Sequence, residues 1–98
     1  MELNLSFTSE LIEWRGPAPF FFLEIPPKIC AEIAMVAKEL TYGWGVIPAK
    51  VTIAQLEFTT SLFPKNGGYL LPVKLVVRKN LTLELGQQVK VKMLLRSG

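Results

Sequence analysis

Few residues of this 98-residue chain could do chemistry, and their absences are as telling as their spacing. There is no His and only one Cys, Cys30. Ser-His-Asp and Cys-His catalysis, His-ligated metals, Cys-rich zinc sites and an internal disulfide framework therefore lack their side chains. Six of the eight acidic residues fall within the first forty positions. Glu10 and Glu13 are close in sequence, but a regular strand sends them to opposite faces, so no paired-carboxylate site is indicated. Ser61 and Lys65 have no companion base that the spacing supports. No catalytic residue, metal or cofactor is expected, and the chain reads as a non-enzyme.

Binding chemistry is better represented. Lys65-Asn66-Gly67-Gly68, followed by Tyr69, could hold an anion: successive glycine amides can point at a phosphate, and Lys65 adds charge. A helix opening at Pro72 would add a partial positive end. The GxxxxGK[ST] spacing of a P-loop is missing, and Pro72 withholds one amide. The competing reading is a glycine turn that lets the chain reverse. Trp14, Tyr42, Trp44, Tyr69 and the run Phe20-Phe21-Phe22 could line a pocket or a stacking platform. In a small barrel such residues also fill the core. Phe20 and Phe22 point opposite to Phe21, so one face of that strand shows an aromatic unless another element covers it.

The net charge of +3 conceals an asymmetry. Residues 1–40 carry three basic and six acidic groups, and residues 41–98 carry eight basic and two acidic. Lys74, Arg78 and Lys79 share a helical face by their spacing, and Lys90 and Lys92 share a strand face. Together they form a candidate basic patch of the kind a nucleic-acid binder presents, or a solvated face of a slightly basic domain. A base-reading helix rich in Arg, Asn and Gln is not evident.

The elements that must position these residues follow from periodicity. Leu3, Leu5 and Phe7 alternate with polar residues in a strand running to about Trp14, with a bulge expected near Glu10-Leu11-Ile12 where two apolar residues become adjacent. Arg15-Gly16-Pro17 is a turn, and Phe20 to Ile25 is a second strand. Pro27 opens a helix to about Leu40, with Ile29, Ile33, Val36, Ala37 and Leu40 on its apolar face. Thr41-Tyr42-Gly43 ends it. Strands from Ile47 to Ile53 and from Leu56 to Leu62 form a tight hairpin through Ala54-Gln55. Pro64 to Gly68 reads as a loop, Tyr69-Leu70-Leu71 as a short extended piece, and Pro72 as the start of a short helix to about Asn80. Val73, Val76 and Val77 face inward in that helix. Gly86-Gln87 turns the chain into a last strand, in which Val89, Val91, Met93 and Leu95 alternate with polar residues. The order β-β-α-β-β-(short α)-β predicts one mostly β domain over residues 1–98, a small β-barrel with capping helices.

The second half carries a resemblance. Trp44-Gly45-Val46-Ile47-Pro48, then Phe58-Thr59-Thr60-Ser61-Leu62-Phe63-Pro64-Lys65, then Gly67-Gly68-Tyr69-Leu70-Leu71-Pro72-Val73-Lys74 and Val77-Arg78-Lys79, resemble the bacterial family catalogued as domain of unknown function 1905. The first half fits the same pattern. The resemblance implies a barrel similar to the double-split barrels of the AbrB and MazE transcription-factor type, without their activity. Barrels of that type are often interlocked dimers, so a homodimer is an expectation beside a barrel that closes alone. Relatives usually carry Gly-Asp before the last strand, where this chain has Gly86-Gln87. Some are fused to other small domains, as an accessory module would be.

A cytoplasmic protein is expected. Met1-Glu2 opens without a basic region, no apolar run reaches the ~20 residues that span a bilayer, and Cys30 reads as a small buried hydrophobe in a reducing compartment. The first functional expectation is a module that binds a partner protein or small ligand through its aromatic and glycine-loop end. The second is a nucleic-acid-associated domain acting through the basic C-terminal half, and the third an enzyme with an unrecognised site.

Overall fold

The computed structural model describes residues 2–14, 20–40, 46–65 and 67–96. Eight elements follow in order: β1 (Glu2–Trp14), β2 (Phe20–Glu24), α1 (Pro27–Leu40), β3 (Ile47–Ile53), β4 (Leu56–Lys65), β5 (Gly68–Pro72), α2 (Leu75–Leu81) and β6 (Gln88–Arg96). The strands form a closed antiparallel barrel in the order β1-β2-β5-β4-β3-β6. The turn expected at Arg15-Gly16-Pro17, the helix end at Thr41-Tyr42-Gly43, and Trp44 and Asn66 lie outside the described residues.

The two long strands make the barrel possible. Residues 2–10 of β1 pair with β6, and residues 11–14 pair with β2. Likewise β4 pairs with β3 over residues 56–62 and with β5 over residues 63–65. Each long strand thus serves two sheets, the split layout that the resemblance implies. All six pairings lie within one chain, so closure needs no strand from a second copy.

The core follows the period-2 pattern. Leu5, Phe7 and Leu11 of β1, Leu23 of β2, Val51 of β3, Leu62 of β4, Leu71 of β5 and Leu95 of β6 are buried together. Ile33 of α1 and Val77 of α2 join them. The bulge expected in β1 is not present. Burial alternates without a break from Leu5 to Leu11, and the register passes from Glu10 opposite Gln88 directly to Leu11 opposite Leu23. Ile12 is apolar because the other face of β1 changes character where its partner changes.

Two further expectations are corrected. Tyr69-Leu70-Leu71 is extended as expected, but it makes up most of β5, a barrel strand that the expected order did not count and that joins β2 to β4. Pro72 closes that strand opposite Phe22 instead of opening a helix, and α2 starts at Leu75 behind Lys74. A proline suits a strand end as well as a first helical turn, because its fixed φ fits both. Val76, expected to face inward, is 61% exposed, whereas Val73 and Val77 are buried.

The hairpin between β3 and β4 turns through Ala54 and Gln55, with φ of 48° and 73°. Two positive φ values make the mirror-image turn that strand twist favours, but these residues lack the backbone freedom of Asn-Gly. Ala54→Asn with Gln55→Gly is therefore expected to raise stability by about 1–2 kcal/mol in thermal unfolding. An unchanged or lowered Tm would contradict that turn geometry.

Candidate functional site

Four aromatic rings gather on the side of the sheet away from the core. Leu11, Leu23, Leu62 and Leu71 point inward, so their sequence neighbours Ile12, Phe22, Phe63 and Pro72 point the other way. Trp14 stands opposite Phe20 in the β1–β2 register, and their rings are 5.7 Å apart. Phe20 continues the contact to Phe22 at 5.4 Å and to Phe63 at 6.0 Å. These rings stand apart from the buried core cluster. Trp14 remains 41% exposed. Lys65 Nζ lies 6.0 Å from the centre of the Trp14 ring, at the outer limit of a cation–π contact.

A cleft of about 730 Å³ adjoins this cluster. Ala31 and Ala34 of α1 form one wall, and Lys65, Gly67 and Gly68 of the β4–β5 hairpin form the other. Phe22 and Leu70 belong to its lining, and both are buried. Phe22 and Lys65 are shared between cleft and cluster, so the two are continuous. The volume falls within the range of small-molecule sites.

The expected anion-site residues Lys65, Gly67, Gly68 and Tyr69 all border this cleft. The helix beside them, however, is α1, not a helix opening at Pro72. Pro26 and Pro27 at its start carry no amide hydrogen to offer. Each glycine has a structural cause. Gly67 takes a φ of +79° in the reversal between Lys65 and Gly68, which are paired. Gly68 lets α1 approach, since a Cβ there would stand 3.3 Å from Cys30 Sγ. Cys30 is buried, as its sequence setting predicted, and its thiol donates to Ile25 O at 3.2 Å. Gly68→Val is accordingly expected to cost about 1–3 kcal/mol through overpacking. Cys30→Ala in the same chain should restore part of that loss, and strict additivity in urea unfolding would refute the contact.

Two polar groups of the cleft lining have partners within the chain. Ser9 donates its hydroxyl to Glu24 O at 2.6 Å, and the Tyr69 carbonyl accepts the Ile25 amide at 3.2 Å. Gln87 uses Oε1 to accept the Glu84 amide at 3.0 Å and braces the turn before β6. Among the described residues, no group of three or more His, Cys, Asp or Glu side chains is placed to hold a metal ion.

The candidate basic residues do not form one strip. Arg78, expected to face solvent, lies with its guanidinium carbon 3.5 Å from the Phe21 ring centre, and its Nε donates to Val73 O at 3.4 Å. It clamps α2 to the barrel. Lys74, the residue before α2, and Lys79 within it are exposed. Lys90 and Lys92 are exposed on β6, opposite Thr8 and Ser6 of β1, with Thr52 of β3 beside Lys92. Two ion pairs on the same sheet, Lys50–Glu57 at 3.4 Å and Arg96–Glu2 at 2.9 Å, leave Lys90 and Lys92 as its unpaired cations among the described residues. The sequence did not single out Phe63, whose alternation with Leu62 was the available signal.

No described helix is long and apolar enough to cross a membrane. No curated protein matches the chain. A family model does, over residues 7–93, which takes in β1 from Phe7 onward, all of β4, the aromatic cluster and the cleft hairpin. The chain therefore belongs to the family described as Domain of unknown function (DUF1905).

Proposed function

We propose that this chain is a non-enzymatic β-barrel module that binds a partner protein or small ligand through the aromatic cluster and the adjoining cleft. One observation carries the reading. Trp14, Phe20 and Phe63 form a contiguous aromatic cluster that stands outside the buried core, and Trp14 is exposed. Exposed aromatic surface is costly to keep in water and marks interaction sites more often than it marks idle surface. A screen of small fragments and short peptides, followed by side-chain NMR signals, tests it. The reading expects shifts at Trp14, Phe63 and Lys65. Shifts confined to other faces would overturn it.

A second reading has its own support. Lys90 and Lys92 flank the hydroxyls of Ser6, Thr8 and Thr52, a set able to contact phosphates. Retention on DNA or RNA that falls steeply with salt, and that Lys90→Glu with Lys92→Glu removes, would favour a nucleic-acid role. Absence of retention at low salt would exclude it.

A further inference from the structure

We infer that this chain pairs with a second copy of itself through the open edge of β4, strand against antiparallel strand, so that two barrels share one continuous outer sheet. The inference is independent of the binding reading above, since it uses neither the aromatic cluster nor the cleft.

Strand β4 changes partner along its length. Residues 63–65 pair with β5, which then leaves it to pair with β2 through Leu71 and Pro72. From Leu56 to Leu62, β4 is paired with β3, and among the described residues no strand pairs with its other side. The turn through Ala54 and Gln55 makes Ile53 and Leu56 exchange their backbone bonds, and alternation repeats this for Phe58, Thr60 and Leu62. Glu57, Thr59 and Ser61 therefore turn their N–H and C=O groups to the open edge. Natural edges are blunted by Lys, Pro or a bulge. This stretch has no Pro and no Lys, and its one charge, Glu57, is engaged by Lys50 at 3.4 Å. Pro64 and Lys65 come only where β5 already covers the strand.

The open groups are symmetric about Thr59. Antiparallel pairing with a second copy sets Thr59 opposite its own equivalent and Glu57 opposite Ser61 in both directions, so each of these residues finds a partner. A register shifted by two residues leaves one of them unpaired in each copy. The side chains agree with the symmetric register. On the outer face Thr59 meets Thr59, and the Ser61 hydroxyl meets the Glu57 carboxylate. On the other face half-buried Phe58 comes opposite Thr60, an aromatic against a β-branched residue. No like charges stand opposite each other.

Strand β1 supplies the contrast. Its residues 2–10 pair with β6, and Leu11 bonds to Gly86 and Gln87, so alternation turns Glu2, Asn4, Ser6, Thr8 and Glu10 to an open edge as well. Self-pairing about Ser6 would set Glu2 against Glu10 in both directions, which is like charge against like charge. Pairing of β1 with β4 of another copy is head-to-tail and runs on without closing. The β4 edge is the one that suits a closed pair.

The test is sedimentation velocity of the whole chain from low micromolar to near-millimolar concentration, with amide hydrogen exchange read at both ends of the range. The inference expects a reversible monomer–dimer equilibrium. It expects slower exchange at the Glu57, Thr59 and Ser61 amides in the concentrated sample, with the Ser6 and Thr8 amides unchanged. Thr59→Pro removes a donor that the β3 pairing does not use, and should raise the dimer dissociation constant about ten-fold or more. Thr59→Lys sets like charges opposite each other at the symmetry axis and should raise it about five-fold. This second variant keeps the backbone and reads the contact even if the proline variant fails to fold. Asn4→Lys, on the β1 edge, should leave the constant unchanged. A chain that stays monomeric at near-millimolar concentration would overturn the inference. So would a dimer insensitive to Thr59→Lys, or one that Asn4→Lys weakens equally.

Discussion

Leu23→Ala is expected to remove about 2–5 kcal/mol of unfolding free energy, towards the upper end because the site cannot collapse easily. Leu23 has 0% exposure and sits on β2 opposite both Leu11 and Leu71, so the cavity would open between strands that close the barrel. A single domain of this size has a total stability of about 5–15 kcal/mol. Loss on that scale lowers Tm on the order of 10–20 °C. Urea unfolding of the variant gives the figure directly. A loss below about 1 kcal/mol would mean that β2 is not a structural stave of the barrel.

The second large effect is on binding. Trp14→Ala is expected to weaken about thirty-fold the tightest fragment or peptide found in the screen proposed above, the loss typical of an aromatic hot spot at the centre of a contact. Trp14 is suited to that part because it is the most exposed member of the cluster and is held on one side by Phe20 and approached on the other by Lys65. Thr59→Ala, an exposed change on the β3-paired stretch of β4, should leave the affinity unchanged. Equal losses for both variants would place the contact elsewhere.

Much of this architecture is written in local pattern. Alternation marks β1, β3, β4 and β6, and Pro27 marks the start of α1, because those signals act within a few residues. The start of α2 is not legible: Lys74 caps it with no side-chain hydrogen bond, so no Ser, Thr, Asp or Asn announces it. Strand β5 is short, and only its pairing with β2 and β4 makes it a barrel stave, which is a non-local fact. The aromatic surface was half legible. Period 2 puts Phe20 and Phe22 on one face, but which face the core claims depends on how β2 meets β1 and β5. Arg78 shows the same limit, since its helical spacing suggests solvent while the Phe21 ring from another strand claims it.

The central claim is that the paired stretch of β1 and β2 divides its labour, with Leu11 and Leu23 on the face that serves the fold and Trp14 and Phe20 on the face that serves a partner. Urea unfolding of Trp14→Ala beside Leu23→Ala tests it most directly. A partly exposed aromatic outside the core should cost about 1–2 kcal/mol, with the m-value unchanged, against the larger loss at Leu23. A loss at Trp14 equal to that at Leu23 would make the aromatic cluster part of the structural core and contradict the account.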